Sequence, residues 1–134
     1  MADSTISVVI PALNEAEGLA QLLPLLRALL PETEILVVDD GSTDDTVAVC
    51  QRHGARVISH PYRMGNGAAV KTGARNAQGE VIVIMDADGQ HRPSDIPSLI
   101  AKFREGCDMV VGARTRYSHA GPHRAVANDV FSRL

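Results

Sequence analysis

The chain has 134 residues, 45% of them hydrophobic and 22% charged, with a formal net charge of −3. That length admits one domain with a core of its own, and the balance excludes a disordered chain. The weak acidic charge and the scarcity of aromatic residues (two Phe, two Tyr, no Trp) exclude a basic or base-stacking nucleic-acid surface. No apolar run approaches bilayer-crossing length and no basic leader precedes one, so a cytoplasmic chain without signal peptide or transmembrane helix is expected. Cys50 and Cys107 lie far apart and read as buried thiols of a reducing compartment.

Strands and helices alternate along the chain. Ser7-Val8-Val9-Ile10 is a short apolar strand, expected to stop at Pro11. Asn14 is placed as a helix N-cap, with Glu17 three residues on completing a capping box. Leu19, Leu22, Leu23, Leu26, Leu29 and Leu30 recur at helical spacing, and Pro24 among them predicts a kink or restart. A second strand over 34–38 runs into Asp39-Asp40-Gly41-Ser42. The polar run 42–45 supplies caps for a helix over 46–53, closed by Gly54. Arg56-Val57-Ile58-Ser59 is a third strand, followed by a loop over 60–67 and a helix over 68–77.

Val81-Ile82-Val83-Ile84-Met85 is an unbroken apolar run, read as the central strand and buried on both faces. Arg92-Pro93-Ser94 begins a helix through Phe103 that Gly106 ends. A fifth strand over 108–112 follows, and Pro122 begins a last helix reaching Leu134.

This order predicts one α/β domain over 1–134, a mostly parallel Rossmann-like sheet with helices on both faces. The first, second and fourth strands all run into polar or acidic residues on one edge of that sheet, where such folds bind ligands. Asp86 and Asp88 sit two apart, so in an extended chain both carboxylates face one point. Like charges that close call for a cation, and Mg2+ or Mn2+ takes oxygen ligands and bridges them to phosphates. Taken alone, Asp86-Ala87-Asp88-Gly89 also reads as an ordinary turn.

Other motifs fail. Gly65-Asn66-Gly67-Ala68-Ala69-Val70 has Val where a dinucleotide fingerprint needs its third Gly, and it does not follow the first strand. Lys71-Thr72 lacks the glycine spacing of a phosphate loop. His119 and His123 are separated by Gly121 and Pro122, and read as exposed histidines.

Five stretches then resemble, in order, the motifs of family-2 inverting glycosyltransferases. They are Val9-Ile10-Pro11-Ala12-Leu13-Asn14-Glu15, Val37-Val38-Asp39-Asp40-Gly41-Ser42-Thr43-Asp44, Asn66-Gly67 with Gly73 and Ala77, Asp86-Ala87-Asp88-Gly89-Gln90, and Gly112-Ala113-Arg114. The nearest branch is that of dolichyl-phosphate mannose synthase and bacterial polyprenyl-phosphate sugar synthases. The resemblance implies a GT-A fold and metal-dependent, inverting transfer of sugar from a UDP- or GDP-linked donor. The implied acceptor is a polyprenyl or dolichyl phosphate, reached at the cytoplasmic face of a membrane.

By the same resemblance Pro11, Ala12, Leu13 and Glu15 line the nucleotide pocket, Leu13 standing where the family often has Tyr. Val38 and Asp40 flank the base with Asp39 nearby, and Asn66, Gly67 and Ala87 belong to the same site. Asp86, Asp88 and Gln90 would hold the Mg2+ or Mn2+, and Arg114 would reach the diphosphate or sugar. The roles fit the chemistry: a carboxylate accepts the N–H groups of uracil or guanine, and a cation neutralises the leaving diphosphate.

Full members of the family continue into an acceptor part. The chain is therefore expected to be a donor-binding part, with no general base assignable, whose open edge a second copy or another protein covers. Two other readings stay beside it: a binding module without activity of its own, and a receiver-like phosphoacceptor domain built on Asp39, Asp40 and Asp86 with Lys71 or Lys102. Receivers carry an acidic pair after their first strand, where this chain has Pro11-Ala12-Leu13-Asn14. A sugar-nucleotide pyrophosphorylase would need a glycine-rich basic loop at that place.

Overall fold

A computed structural model of the chain describes residues 5–87, 94, 96–103 and 110–111. Strands β1 (Ile6–Ala12), β2 (Glu34–Asp39), β3 (Arg56–Ser59), β4 (Val81–Ile84) and β5 (Val110–Val111) alternate with helices α1 (Ala16–Leu29), α2 (Thr46–Arg52), α3 (Asn66–Asn76) and α4 (Ile96–Phe103). The strands form one sheet in the order β3-β2-β1-β4-β5. Every pairing in it is parallel, as the alternation predicts. The middle strand is β1 rather than the run that ends at Met85, because two strands lie on each side of β1 and only one lies beyond β4. The elements expected over 92–93, 106, 108–109 and 112–134 lie outside the described residues.

Side chains alternate across the sheet and so sort the core into two layers. Val8, Ile10, Ile35, Val37 and Val83 pack with Leu19, Leu22, Leu23 and Leu26 of α1, Val49 and Cys50 of α2, and Ile96 and Ile100 of α4. Val9, Leu36, Val38 and Ile84 face the other way, onto Ala69 of α3. Helices therefore cover both faces. Burial, with the nearby Asp39 charge, pushes the Cys50 thiol up to about 11, so it stays an inert apolar filler. Leu29 turns outward, 42% exposed, and takes no part in the core.

Both prolines break an expectation. β1 runs through Pro11 to Ala12. The Val9 carbonyl accepts from Met85 N on the β4 side, whereas that of Ala12 accepts from Asp40 N on the β2 side. Pro11, two residues past Val9, thus turns its missing donor toward β4, where pairing has already ended at Val9 and Ile84. No ladder bond is lost. α1 likewise continues through Pro24 as one helix. Pro24 and Ala20, whose carbonyl loses its helical partner, are both exposed, so the lost bond faces solvent while leucines on either side stay buried.

Helix starts also differ. α3 begins at Asn66, two residues early, after Gly65 at φ 106°. α1 is entered at Glu15 without a side-chain cap of its own. Asn14 has left-handed backbone, φ 54°, which carries its side chain away from the helix. Its Oδ1 accepts instead from the N–H groups of Thr43 (2.8 Å) and Asp44 (3.2 Å), and its own N–H donates to Ser42 Oγ at 2.8 Å.

The α1 donors are satisfied across the sheet edge. Glu15 N–H donates to Thr46 Oγ1 at 3.0 Å and Ala16 N–H to Asp44 Oδ2 at 3.2 Å. Asp44 Oδ1 also accepts from Thr46 N at 2.9 Å and from the Thr46 hydroxyl. One carboxylate thereby caps two helices. Asp44→Ala is expected to lower stability by about 1–2 kcal/mol, the worth of one to two caps, read as a lower midpoint in urea.

Candidate functional site

The strand order reverses between β1 and β4. In open parallel sheets the crevice beyond the strand ends at such a point is where ligands bind. A cleft of about 330 Å³ lies there, lined by Pro11, Ala12, Leu13, Glu15, Asp40, Arg63, Asn66, Ala69, Asp86 and Ala87. The end of β1 supplies its floor. One wall comes from the end of β2, the loop after β3 and the start of α3; the other comes from the end of β4.

Asp40, the first residue past β2, is 4% exposed. Its Oδ1 accepts from His60 Nδ1 and from Met64 N, each at 2.8 Å, and its Oδ2 accepts from Gly65 N at 3.0 Å. Burial alone would raise its pKa, but the bonds from His60, Met64 and Gly65 outweigh burial and hold the carboxyl below its ordinary value. As a carboxylate it keeps a proton on His60 Nδ1, while His60 Nε2 lies 2.8 Å from Thr72 Oγ1 on α3. Asp40, His60 and Thr72 thus tie the end of β2 to the loop and to α3.

Gly41 lets that loop close. A Cβ there would stand 2.9 Å from Arg63 N and 3.0 Å from the Tyr62 carbonyl carbon, and its φ is +87°. Only glycine tolerates both. The chain crossing Gly41 brings Arg63 to the cleft.

On the opposite wall, half-buried Asp86 stands just past β4. The Ala87 carbonyl rests against α1, where a Cβ on Gly18 would stand 2.5 Å from it. Glu15, Asp40 and Asp86 line the cleft with carboxylates, and Arg63 is the cation among the lining residues. Oxygen donors of this kind suit a hard divalent cation. Among the described residues no group of three His, Cys, Asp or Glu side chains could by itself hold a metal ion.

Eight of the residues expected at a nucleotide site therefore border one cleft: Pro11, Ala12, Leu13, Glu15, Asp40, Asn66, Asp86 and Ala87. Val38 does not, being wholly buried against α3. Asp39 turns to the sheet, where Oδ1 accepts from Ser42 N and Oδ2 from the Ser59 hydroxyl, each at 2.9 Å. Gly67, in the first turn of α3, is not among the lining residues. Asp88, Gln90 and Arg114 lie outside the described residues.

The sequence reading missed Arg63 and Ala69 in the lining, and His60 and Thr72 behind Asp40. A signal for His60 existed. It directly follows β3, whose end lies on the same sheet edge as the acids.

The sequence profile of Glycosyl transferase family 2 matches residues 7–132. The chain is 43% identical over 115 residues to an uncharacterised glycosyltransferase of Mycobacterium tuberculosis, a match covering 85% of this chain and 50% of the relative. It is 39% identical to the dolichol-phosphate mannosyltransferase of Pyrococcus furiosus, over 81% of this chain and 33% of that one. It is 33% identical to the undecaprenyl-phosphate 4-deoxy-4-formamido-L-arabinose transferase of Proteus mirabilis, over 96% of this chain and 42% of that one.

Among solved structures, glucosyl-3-phosphoglycerate synthase of M. tuberculosis, in complex with Mn2+, UDP-glucose and phosphoglyceric acid, superposes with a TM-score of 0.66. That match has 34% identity and covers 75% of this chain and 39% of the synthase. The chain spans half or less of the length of these relatives. Among the described residues no helix is long and apolar enough to cross a membrane.

Proposed function

Since the chain belongs to glycosyl transferase family 2 and has its GT-A-type fold, we propose that it is the donor-binding part of an enzyme moving sugar from a nucleotide-diphosphate sugar to a phosphate-bearing acceptor. The observation that carries this reading is the cleft at the β1, β2 and β4 ends. There a buried, ionised Asp40 stands across from Asp86, with exposed Arg63 among the lining residues.

Asp40 is the acceptor for the base, Arg63 and Asn66 offer donors to phosphate or sugar oxygens, and Asp86 would hold a cation for the diphosphate. Mg2+ or Mn2+ would be held by Asp86, with Asp88 and Gln90 beyond it and Arg114 as a further cation. Such a cation would supply charge neutralisation for the leaving diphosphate, and inversion would follow from a single displacement in which the acceptor oxygen attacks the sugar from the face opposite that leaving group. The synthase solved with Mn2+ and UDP-glucose supports the metal and the donor class. The dolichol- and undecaprenyl-phosphate transferases support a lipid-phosphate acceptor at a membrane surface. The phosphoglyceric acid in the synthase complex favours a second reading, in which the acceptor is a small soluble phosphate ester.

Thermal unfolding tests the site. A nucleoside diphosphate and Mn2+ that share it stabilise the chain jointly, each strengthening the other. At about 100 times its dissociation constant a ligand adds roughly 2.7 kcal/mol, a shift of several degrees. Asp86→Asn keeps the shape but removes the ionic ligand, so the joint shift, measured from each protein's own unliganded midpoint, should largely vanish. Equal shifts in parent and variant would remove Asp86 from the metal site.

A further inference from the structure

Most of the accepting capacity of Asp40 is already in use. A carboxylate offers about four acceptor positions. His60 Nδ1 and Met64 N fill those of Oδ1, and Gly65 N fills one on Oδ2. About one position remains, on Oδ2. The Met64 and Gly65 donors are backbone groups fixed by the loop. The His60 donor is a side chain, 7% exposed and anchored at its far nitrogen by Thr72 Oγ1 at 2.8 Å.

We propose that His60 sets the base preference of the site: by filling Oδ1 of Asp40 it leaves the carboxylate one base N–H to accept, which selects a pyrimidine with a single imide proton, such as uracil, over guanine. This rests on the cleft being the donor site. Guanine presents two neighbouring N–H groups, at N1 and N2, a pair that spans both oxygens of a carboxylate. With Oδ1 filled, one of them is buried without an acceptor. Uracil presents one N–H between two carbonyls. Cytosine offers only its N4 amino N–H, and using it sets the adjacent N3 lone pair against the carboxylate.

The test titrates UDP, CDP and GDP, each with Mn2+, into the parent chain and into His60→Leu and His60→Asn, with melting curves as a check on folding. In the parent, UDP should bind at least about tenfold more tightly than GDP or CDP, the worth of one unpaired buried donor. His60→Leu vacates a position on Oδ1, and the UDP-to-GDP ratio should fall toward one, mainly by a gain for GDP. His60→Asn returns an amide donor near the place of Nδ1 and should restore the parent ratio.

A His60 that merely supports the loop would weaken all three nucleotides in proportion and leave the ratio unchanged, which overturns the proposal. GDP binding the parent as tightly as UDP overturns it too. Should His60→Leu fail to fold, the parent ratio and the Asn variant decide, since a folded Asn variant that loses the ratio also contradicts it. A parent that binds none of the three overturns the donor-site reading itself, and that outcome is separable from a wrong preference.

Discussion

Asp40→Ala is expected to destabilise the chain by about 3–5 kcal/mol, far more than loss of a ligand-contacting side chain alone. The substitution leaves Met64 N, Gly65 N and His60 Nδ1 without their acceptor in a buried place. It also frees the loop that carries Arg63 and lets go of the tether to Thr72 on α3. The melting temperature should drop by roughly ten degrees or more, and nucleotide binding should be lost with it. A variant within about 1 kcal/mol of the parent would show that the loop holds itself.

Two carboxylates, Asp40 in that network and Glu34 at the start of β2, make stability acid-sensitive. On Asp40, burial is outweighed by the bonds from His60, Met64 and Gly65; on Glu34, it is outweighed by those from Gln78 N, the Ser7 hydroxyl and Arg56. Both carboxyls titrate below their ordinary values of 3.8 and 4.5. Their stabilisation is therefore complete above the unfolded-state values and drains away as the pH falls through the lower folded-state ones. Urea midpoints should hold steady above about pH 5 and decline below about pH 4, less steeply in Asp40→Asn.

Gly73→Ala is expected to cost about 3 kcal/mol, the upper part of the range for overpacking. The new methyl would stand 2.2 Å from Val9 Cγ1 and 3.3 Å from Val38 Cγ2. Val9 is wholly buried and β-branched, so it has no rotamer into which to retreat. Helix α3 must lift from the sheet instead, drawing Asn66 and Ala69 off the cleft wall. Gly67→Ala, in the same helix but with open space around its would-be Cβ, should be neutral or stabilising by up to about 1 kcal/mol. Similar melting temperatures for the two variants would mean that α3 is not seated on β1 as described.

What was readable in the chain depended on how local its cause is. Arg56–Ser59 is recovered to the residue because Gly54 before it and His60-Pro61 after it bound a short β-rich run. Pro11 and Pro24 mislead because proline is costly only where a backbone bond is required. Whether one is required depends on where β4 ends and on which side of α1 meets water. Asn14 carries the chemistry of a cap, yet its partners sit 28 to 30 residues further on.

Within Val38-Asp39-Asp40 the motif does not say which side chain faces the cleft. The sheet decides, sending Val38 to α3, Asp39 to Ser59 and Asp40 to the loop. Arg63 had no periodicity to reveal it. It reaches the site only because the backbone passes over Gly41.

The capping of α1 by Asp44 and Thr46 has a consequence for how the chain is made. Those groups lie 28 and 31 residues beyond the amides they receive. A polypeptide leaving the ribosome exposes β1 and all of α1 before anything can hold the first turn of that helix. The first strand-helix unit is thus no autonomous folding piece: excised, it frays where Pro11-Ala12-Leu13 should form the cleft floor. A chimera that exchanges β1 and α1 between relatives must carry residues 42–46 along with them, or the graft loses its shape at the site it was meant to transfer.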